Sequence, residues 1–254
     1  SIDKPISTTN LDITIETTNS TGPFPILNDL KLKNLNRLIF GHININSIRN
    51  KFELLCDKVQ GNIDVLLISE TKLDDTFPLG QFLINGYSAP YRLDRNSFGG
   101  GLMLYIRQDI PYKVLPKVEK SSVNESFFIE INLKKKKWLM SCSYNHSRNS
   151  IKNHLDYIGR NLDYFLNKYE NILIIGDFNV EISNSHMSDF SQFYNLKSLI
   201  NEPTCYKNPT NPSCIDLILT NQSRSFCHSK VIDIGLSDFH LLTLTVVLKS
   251  KNLE

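Results

Sequence analysis

The chain lacks most of the features that would assign it to a large protein class at once. No apolar stretch is long enough to span a bilayer, so no membrane association is expected. The first residues are polar and carry no apolar core of the kind a secretory signal needs. The five cysteines, Cys56, Cys142, Cys205, Cys214 and Cys227, are odd in number and contain no Cys-x-x-Cys pair. They indicate neither a disulfide framework nor a structural zinc site, and a reducing compartment, cytosol or nucleus, fits best. Net charge is only +2 at pH 7, so any contact with nucleic acid has to be a local patch. A triple glycine, Gly99-Gly100-Gly101, is not followed by a lysine at phosphate-loop spacing, which leaves close strand packing or a flexible loop as the favoured reading. No internal repeat is evident.

What is present is the composition of an ordinary globular chain of 254 residues, enough for one large domain or two small ones. Residues 1–30 are rich in Thr, Ser and Asn with little periodicity and are expected to be a flexible leader. Residues 31–254 are expected to form a single domain. Opening on Ser1 and closing soon after a strand-like run, the chain reads as a piece of a longer polyprotein.

The segment Asn171-Ile172-Leu173-Ile174-Ile175 is a short, continuous apolar run, as in a strand buried on both faces. It stops at Gly176-Asp177-Phe178-Asn179. On an extended backbone Asp177 and Asn179 point the same way. A carboxylate beside a carboxamide suits work on a phosphate, although Gly-Asp-x-Asn is also good turn chemistry. The pattern recurs. Leu38 to Asn46 alternates as a strand with His42, Asn44 and Asn46 on one face, and Ser47 is a good N-cap for a helix through Ile48, Phe52, Leu55 and Val59. Ile63 to Ser69 is a second buried strand and ends at Glu70, which taken alone would be a solvated strand end. Strands are also expected at Leu102–Ile106, Tyr112–Val118, Ser126–Leu133, Trp138–Tyr144, Ile215–Leu219 and Leu241–Leu248. Helices are expected at Ile151–Tyr169 and Met187–Leu199. Lys134 to Lys137 reads as a solvated hairpin turn. Asp216 lies inside an apolar strand, where a carboxylate needs a partner such as His or Arg.

Nearly every buried strand therefore ends in a group able to touch a metal or a phosphate: Asn44 and Asn46, Glu70, Tyr144, Asp177 and Asn179, Asp216, and Asp238 with His240. A hard divalent cation takes carboxylate and carbonyl oxygens. Phosphodiester cleavage needs an activated water, charge relief on the phosphate and a buried acid to orient a histidine. The mixed order of strands and helices points to two packed sheets flanked by helices.

From about Leu38 to Leu248 this set resembles the endonuclease/exonuclease/phosphatase superfamily, and more narrowly the apurinic-type endonuclease domain of LINE-like, non-LTR retrotransposons. The residues that carry the resemblance are Asn44-Ile45-Asn46-Ser47-Ile48-Arg49-Asn50-Lys51-Phe52, Ile68-Ser69-Glu70-Thr71-Lys72, Tyr144-Asn145, Gly176-Asp177-Phe178-Asn179 and Ile215-Asp216-Leu217-Ile218-Leu219-Thr220. The resemblance implies a four-layer α/β sandwich of two mostly antiparallel sheets, with Mg²⁺ at the sheet ends and Mn²⁺ able to substitute. It implies Glu70 as the main metal ligand with Asn44 nearby, and Asp238 as a further metal residue. Asp177 would be the general base or acid, Asn179 and Tyr144 would hold the phosphate, and His240 would contact the scissile phosphate under the orientation of Asp216. Asn46, Thr204, Tyr206 and Lys207 would meet the substrate, the last two from a proline-shaped loop, Thr204 to Cys214, that either reads the target or is an ordinary surface loop. His42 has no role implied and is expected to be a satisfied structural histidine.

The expected activity is a Mg²⁺-dependent nick in one strand of double-stranded DNA that leaves a 3′-hydroxyl to prime a reverse transcriptase domain of the same polypeptide. Such a protein would be made in the cytoplasm and act in the nucleus. Two alternatives stay open: an abasic-site endonuclease or phosphatase of the same superfamily, and a decayed copy that only binds DNA or protein. The family ends in Ser-Asp-His, whereas here Phe239 separates Asp238 from His240. Either a bulge absorbs Phe239 or the two residues are placed differently, and His240 is expected to keep its role.

Overall fold

The computed structural model describes residues 24–117, 124–133, 135–146 and 148–248. Two six-stranded sheets stack face to face between helices. The first sheet contains β1 (Ile39–Asn44), β2 (Val65–Ser69), β3 (Tyr91–Leu93), β4 (Leu102–Ile106), β11 (Phe226–Ile232) and β12 (Leu242–Val247), in the order β11-β12-β1-β2-β4-β3. The second contains β5 (Tyr112–Leu115), β6 (Glu125–Leu133), β7 (Lys136–Tyr144), β8 (Asn171–Asp177), β9 (Lys197–Ser198) and β10 (Asp216–Thr220), in the order β5-β6-β7-β8-β10-β9. This is the expected α/β sandwich of mostly antiparallel sheets.

Each sheet has one parallel pair at its centre, β1 with β2 and β7 with β8. A parallel pair needs a crossover, supplied by α2 (Phe52–Val59) in the first sheet and α3 (Ile151–Phe165) in the second. The period-two alternation of the strands builds the layers. Phe40, Val65, Leu67, Leu104, Ile129, Met140, Leu173, Ile175 and Ile218 meet between the sheets. Ile39, Ile43, Leu66, Ile68 and Leu244 turn outward onto Leu55 and Val59 of α2. Phe128, Leu139, Ile174 and Leu217 turn the other way onto Leu155, Ile158 and Leu162 of α3 and Met187 of α4 (Ser185–Phe193).

The structure moves several expected boundaries. The expected leader, residues 1–30, lies outside the described residues over 1–23, but residues 24–32 form a helix, α1 (Phe24–Leu32). Its Leu27 and Leu30 are buried, and Lys31 reaches Asp64 at 2.8 Å, so this stretch belongs to the first sheet's outer layer. Ser47 does not cap α2: it is left-handed (φ 82°), and the helix starts after Lys51. The second expected long helix stops early, because Asn195 turns left-handed (φ 52°) and lets the chain re-enter the sheet as β9. Its cap is Asn184, whose Oδ1 accepts the His186 and Met187 amides at 3.1 and 3.4 Å. Val118 and Lys134 of the expected strand and hairpin lie outside the described residues. No described helix is long and apolar enough to cross a membrane.

At Gly176, β8 passes close against the Ser143 backbone of β7. A β-carbon there would sit inside the van der Waals shell of the Ser143 carbonyl oxygen, which is backbone and cannot swing away. Gly176→Ala is therefore expected to destabilise the fold by about 3 kcal/mol or more, the cost of an unrelievable backbone overlap. Thermal unfolding followed by circular dichroism measures it; an unchanged midpoint would show that β7 and β8 can separate freely.

Candidate active site

The parallel strands β1, β2, β7 and β8 all run toward the same edge of the sandwich, and the antiparallel strands β10 and β12 begin there. Strand register then decides which side chains meet. Across the second sheet, Glu125 of β6 pairs with Tyr144 of β7, Tyr144 with Asp177 of β8, and Asp177 with Asp216 of β10. One row of polar side chains thus crosses four strands. In the facing sheet, Asn44 of β1 pairs with Ser69 of β2, and His42 lies one inward-facing position deeper.

Asp177 is fully buried and each of its oxygens accepts a hydrogen bond: Oδ2 from Asn44 Nδ2 at 2.9 Å, across the two sheets, and Oδ1 from the Asn179 amide at 2.8 Å. Burial, and then the charge of neighbouring Asp216, push its carboxyl up to about 7, against the pull of His240 and Asn44. Asp216 is equally buried. Its Oδ2 receives the Thr204 hydroxyl at 2.7 Å and faces His240 Nδ1 at 2.9 Å. Burial lowers the His240 pKa, but the Asp216 charge and hydrogen bond prevail, with help from Cys205 and Asp177, so that the imidazole is pushed up to about 11. The expected histidine–aspartate pair is therefore formed, and a ligand atom from each of Asp177, Asp216 and His240 lies within 4.8 Å of the others.

A second histidine stands behind this pair. His42 is completely buried, its Nε2 is 3.1 Å from Ser69 Oγ, and its Nδ1 is 3.5 Å from Asp216 Oδ1. Those last two atoms are both buried and have no other hydrogen-bond partner. The contact is not an ion pair, because burial pulls His42 down to about 4 despite the nearby carboxylate. His42 is structural as expected and stands against Asp216, but it is not fully satisfied, because its buried Nδ1 has no hydrogen-bond partner. Its place on the Asn44 face was legible; its closeness to β10 was not.

Glu70 does not follow the alternation of β2, which would send it to the outer face. It leaves the strand left-handed (φ 55°) and accepts the hydroxyl of Tyr144 from the opposite sheet. Burial, then the Glu70 charge, raise the Tyr144 phenol well above its ordinary value, so the hydroxyl stays a donor. Lys72 Nζ donates to Asn46 Oδ1 and lies 3.5 Å from Glu70 Oε2, and Asn46 Nδ2 donates to Asp238 Oδ2 at 2.7 Å. Of the residues expected at the metal, Glu70 and Asp238 are linked through Lys72 and Asn46, whereas Asn44 donates to Asp177.

Two expected placements change, and the alternative left open at Asp238 and His240 is decided. Asn179 is not on the extended run of β8: it is left-handed (φ 53°), so its amide folds back onto Asp177, and its Nδ2 donates to the Asn145 carbonyl at 2.7 Å. Thr204 was expected against the substrate, but it is fully buried, and its hydroxyl is spent on Asp216 and on the Ile215 and Asp216 amides at 3.1 and 3.0 Å. Asp238 and His240 do not share a face. A bend at Ser237–Phe239 turns the 54%-exposed Asp238 side chain outward to Asn46 and sends His240 inward to Asp216.

The site opens into a cavity of about 580 Å³ whose lining includes Asn44, Glu70, Tyr144, Asn179, Lys207 and His240. The proline loop forms one wall. Cys205 bridges both Ser213 and His240, the Tyr206 amide donates to the Phe239 carbonyl at 2.8 Å, and the Leu241 amide to that of Thr204 at 2.8 Å. Cys205 Sγ lies 3.6 Å from His240 Nε2, the nitrogen not used by Asp216. Nothing in the composition marked Cys205 or Lys72; only their neighbours do.

Comparison with known proteins bears on the family and the fold. The sequence model described as Endonuclease/Exonuclease/phosphatase family matches residues 41–238. No curated protein matches the chain. Among solved structures, the endonuclease domain of TRAS1, a telomere-specific non-LTR retrotransposon, is similar at TM-score 0.66 and 13% identity, over 85% of this chain and 100% of that one. A 3′-5′ exonuclease from Neisseria meningitidis is similar at TM-score 0.64 and 14% identity, over 82% and 98%. An AP endonuclease from Archaeoglobus fulgidus is similar at TM-score 0.59 and 17% identity, over 83% and 99%. At these identities the likeness is one of fold.

Proposed function

The chain belongs to the endonuclease/exonuclease/phosphatase family, and from that premise we propose that it is a Mg²⁺-dependent endonuclease that nicks one strand of double-stranded DNA and leaves a 3′-hydroxyl. The observation that carries the proposal is the gathering, at one edge of two sheets, of Asp177, Asp216 and His240 beside Asn44, Glu70 and Tyr144. The narrower reading, a retrotransposon endonuclease whose nick primes a reverse transcriptase domain of the same polypeptide, is supported by the Asn44–Phe52 motif and by the likeness to the TRAS1 domain. On this reading the protein is made in the cytoplasm and works in the nucleus.

In this scheme Asp177, poised near neutrality, takes the proton of the attacking water or returns one to the leaving oxygen. His240, cationic and held by Asp216, donates Nε2–H to the phosphate. Asn179 and Tyr144 line the cavity; Asn179 has a second amide proton to donate, and the Tyr144 hydroxyl would turn from Glu70 to the phosphate. The donor chemistry suits a hard divalent ion: Glu70 offers carboxylate oxygens and Asn46 an amide oxygen, and the Lys72 ammonium lies between them, where a cation would be held. Glu70, with Asn44 nearby, would hold Mg²⁺, or Mn²⁺ in its place, and the ion would neutralise charge developing on the phosphate. Tyr206 and Lys207, on the loop pinned to His240, are proposed to meet the substrate beside the cut.

Supercoiled plasmid is expected to be converted to the open circle in Mg²⁺ and left intact in EDTA, and the nicked ends to be extended by a DNA polymerase without further treatment. Cleavage confined to duplexes carrying an abasic site would move the assignment to repair, and binding without any cleavage, in Mn²⁺ as well, would end it.

A further inference from the structure

The triple glycine remains outside the catalytic scheme, and so does the residue before it. Phe98 is 91% exposed, more than any other large apolar side chain among the described residues. Such a ring at the tip of a loop usually reflects a slack backbone. Here the backbone is braced from three sides. Asn96 Oδ1 accepts the amides of Phe98 and Gly99 at 3.0 and 3.1 Å. Arg95 Nε donates to the Gly99 carbonyl at 2.9 Å, and Arg49 Nη2 donates to the Ser97 carbonyl at 2.8 Å. Buried Glu125, the end of the polar row, accepts Arg95 Nη1 at 2.8 Å and the Gly101 amide at 2.5 Å. The glycines make this bracing possible. Gly100 and Gly101 have φ of 69° and 92°, and a β-carbon on either would collide with Arg95 and Glu125, or with Thr71. The three glycines therefore lock a loop that holds one phenyl ring in water.

Beside the ring lies a groove of about 660 Å³ lined by Glu70, Lys72, Arg95, Phe98, His146 and Arg148. Lys72, Arg95 and Arg148 outnumber the two carboxylates beside them, Glu70 near Lys72 and Glu125 behind Arg95, and Glu70 also lines the catalytic cavity, so the two depressions share that wall. A fixed apolar ring next to a basic groove is the arrangement by which proteins unstack a base step while holding the backbone.

We propose that Phe98 is a wedge that enters the base stack of duplex DNA next to the cleaved phosphate, with the Lys72–Arg95–Arg148 groove holding the strand that leads to it. This deepens the endonuclease reading and rests on it. Unstacking is easiest at flexible pyrimidine–purine steps, so the wedge predicts tighter binding where such steps lie under the loop.

The test is equilibrium binding of the full chain, in EDTA, to two fluorescently labelled duplexes, one built of TpA steps and one of G·C pairs only. Phe98→Ala is expected to weaken binding to the TpA duplex about 5- to 150-fold, the range a base–aromatic contact contributes, and to erase the preference for it. The salt dependence should be unchanged, because no phosphate contact is lost. Phe98→Trp should restore both affinity and preference. Arg148→Ala should instead lower the salt slope by about one, at either duplex. If wild type nicks plasmid and binds DNA but Phe98→Ala binds both duplexes equally well, the ring covers something else, such as another part of a longer polypeptide, and the wedge is wrong while the nuclease stands. A loss that tryptophan does not repair overturns it too. If wild type neither binds nor nicks, the nuclease reading falls and takes the wedge with it.

Discussion

Asp177→Asn is expected to lower the rate of DNA nicking by about 10³-fold, within the range for loss of a general acid or base. The shape of the row should survive, since the amide is isosteric, but its NH₂ cannot accept as the carboxylate does, so one of the two hydrogen bonds, from Asn44 Nδ2 or from the Asn179 amide, is lost. The same variant carries a second signature. Burial and Asp216 hold the Asp177 carboxyl at about 7 in the folded protein, whereas an exposed aspartate ionises near 3.9. A raised carboxylate favours its protonated form on folding. Its contribution is complete below about pH 4 and is lost as pH rises toward 7, the reverse of a salt-bridged aspartate. Wild type should lose stability over that interval and Asp177→Asn should not. The melting temperature of the variant relative to wild type should thus rise by several degrees between about pH 5 and pH 8. Parallel melting curves with a constant offset would show that Asp177 is not desolvated; full nicking activity would remove it from the chemistry.

Asp216→Asn is expected to be as damaging, by a different route. The Asp216 charge raises the pKa of both His240 and Asp177. With His240 near 11, the wild-type imidazole is cationic through the neutral range, and the acid limb of the pH–rate profile belongs to Asp177 near 7. Removing the charge should bring His240 down toward or below the ordinary histidine value, since burial then acts unopposed. It should also let Asp177 ionise at lower pH. The alkaline limb moves inward and the acid limb moves outward, so the profile narrows and shifts toward acid. Near pH 8 the loss should be about 10³- to 10⁴-fold, the scale on which a misoriented, uncharged histidine fails, with partial recovery near pH 6. A uniform loss at every pH would mean that Asp216 only holds the imidazole in place. The variant should also lose the stability that a raised histidine supplies, which is full below about pH 6.5 and vanishes as pH rises through the folded value.

The two variants test residues that the sequence exposed to different degrees. Asp177 ends a short, continuous buried apolar run, Ile172 to Ile175, and a carboxylate at such a boundary is visible without coordinates. Asp216 announces itself as a charge inside an apolar strand that requires a partner, and the partner, His240, was legible through the resemblance. His42 was not: its nearest site contact, Asp216, is far away in the chain. Thr204 was expected near the substrate through the resemblance, yet its hydroxyl satisfies buried groups first. A buried polar atom that has a partner within reach takes it.

Local pattern determined the strands, most of the helices and their layering, because burial on alternate residues is written directly into the order of apolar side chains. It also determined which polar residues stand at strand ends. Tertiary structure decided where those residues point. Glu70, Asn179 and the Ser237–Phe239 bend all leave the strand alternation, through left-handed backbone or a turn, at the point where hydrogen bonds to the other sheet or another loop take over from the ladder. Periodicity holds only while the ladder holds, so the groups that do the chemistry, lying just past its end, take their directions from partners that are distant in sequence.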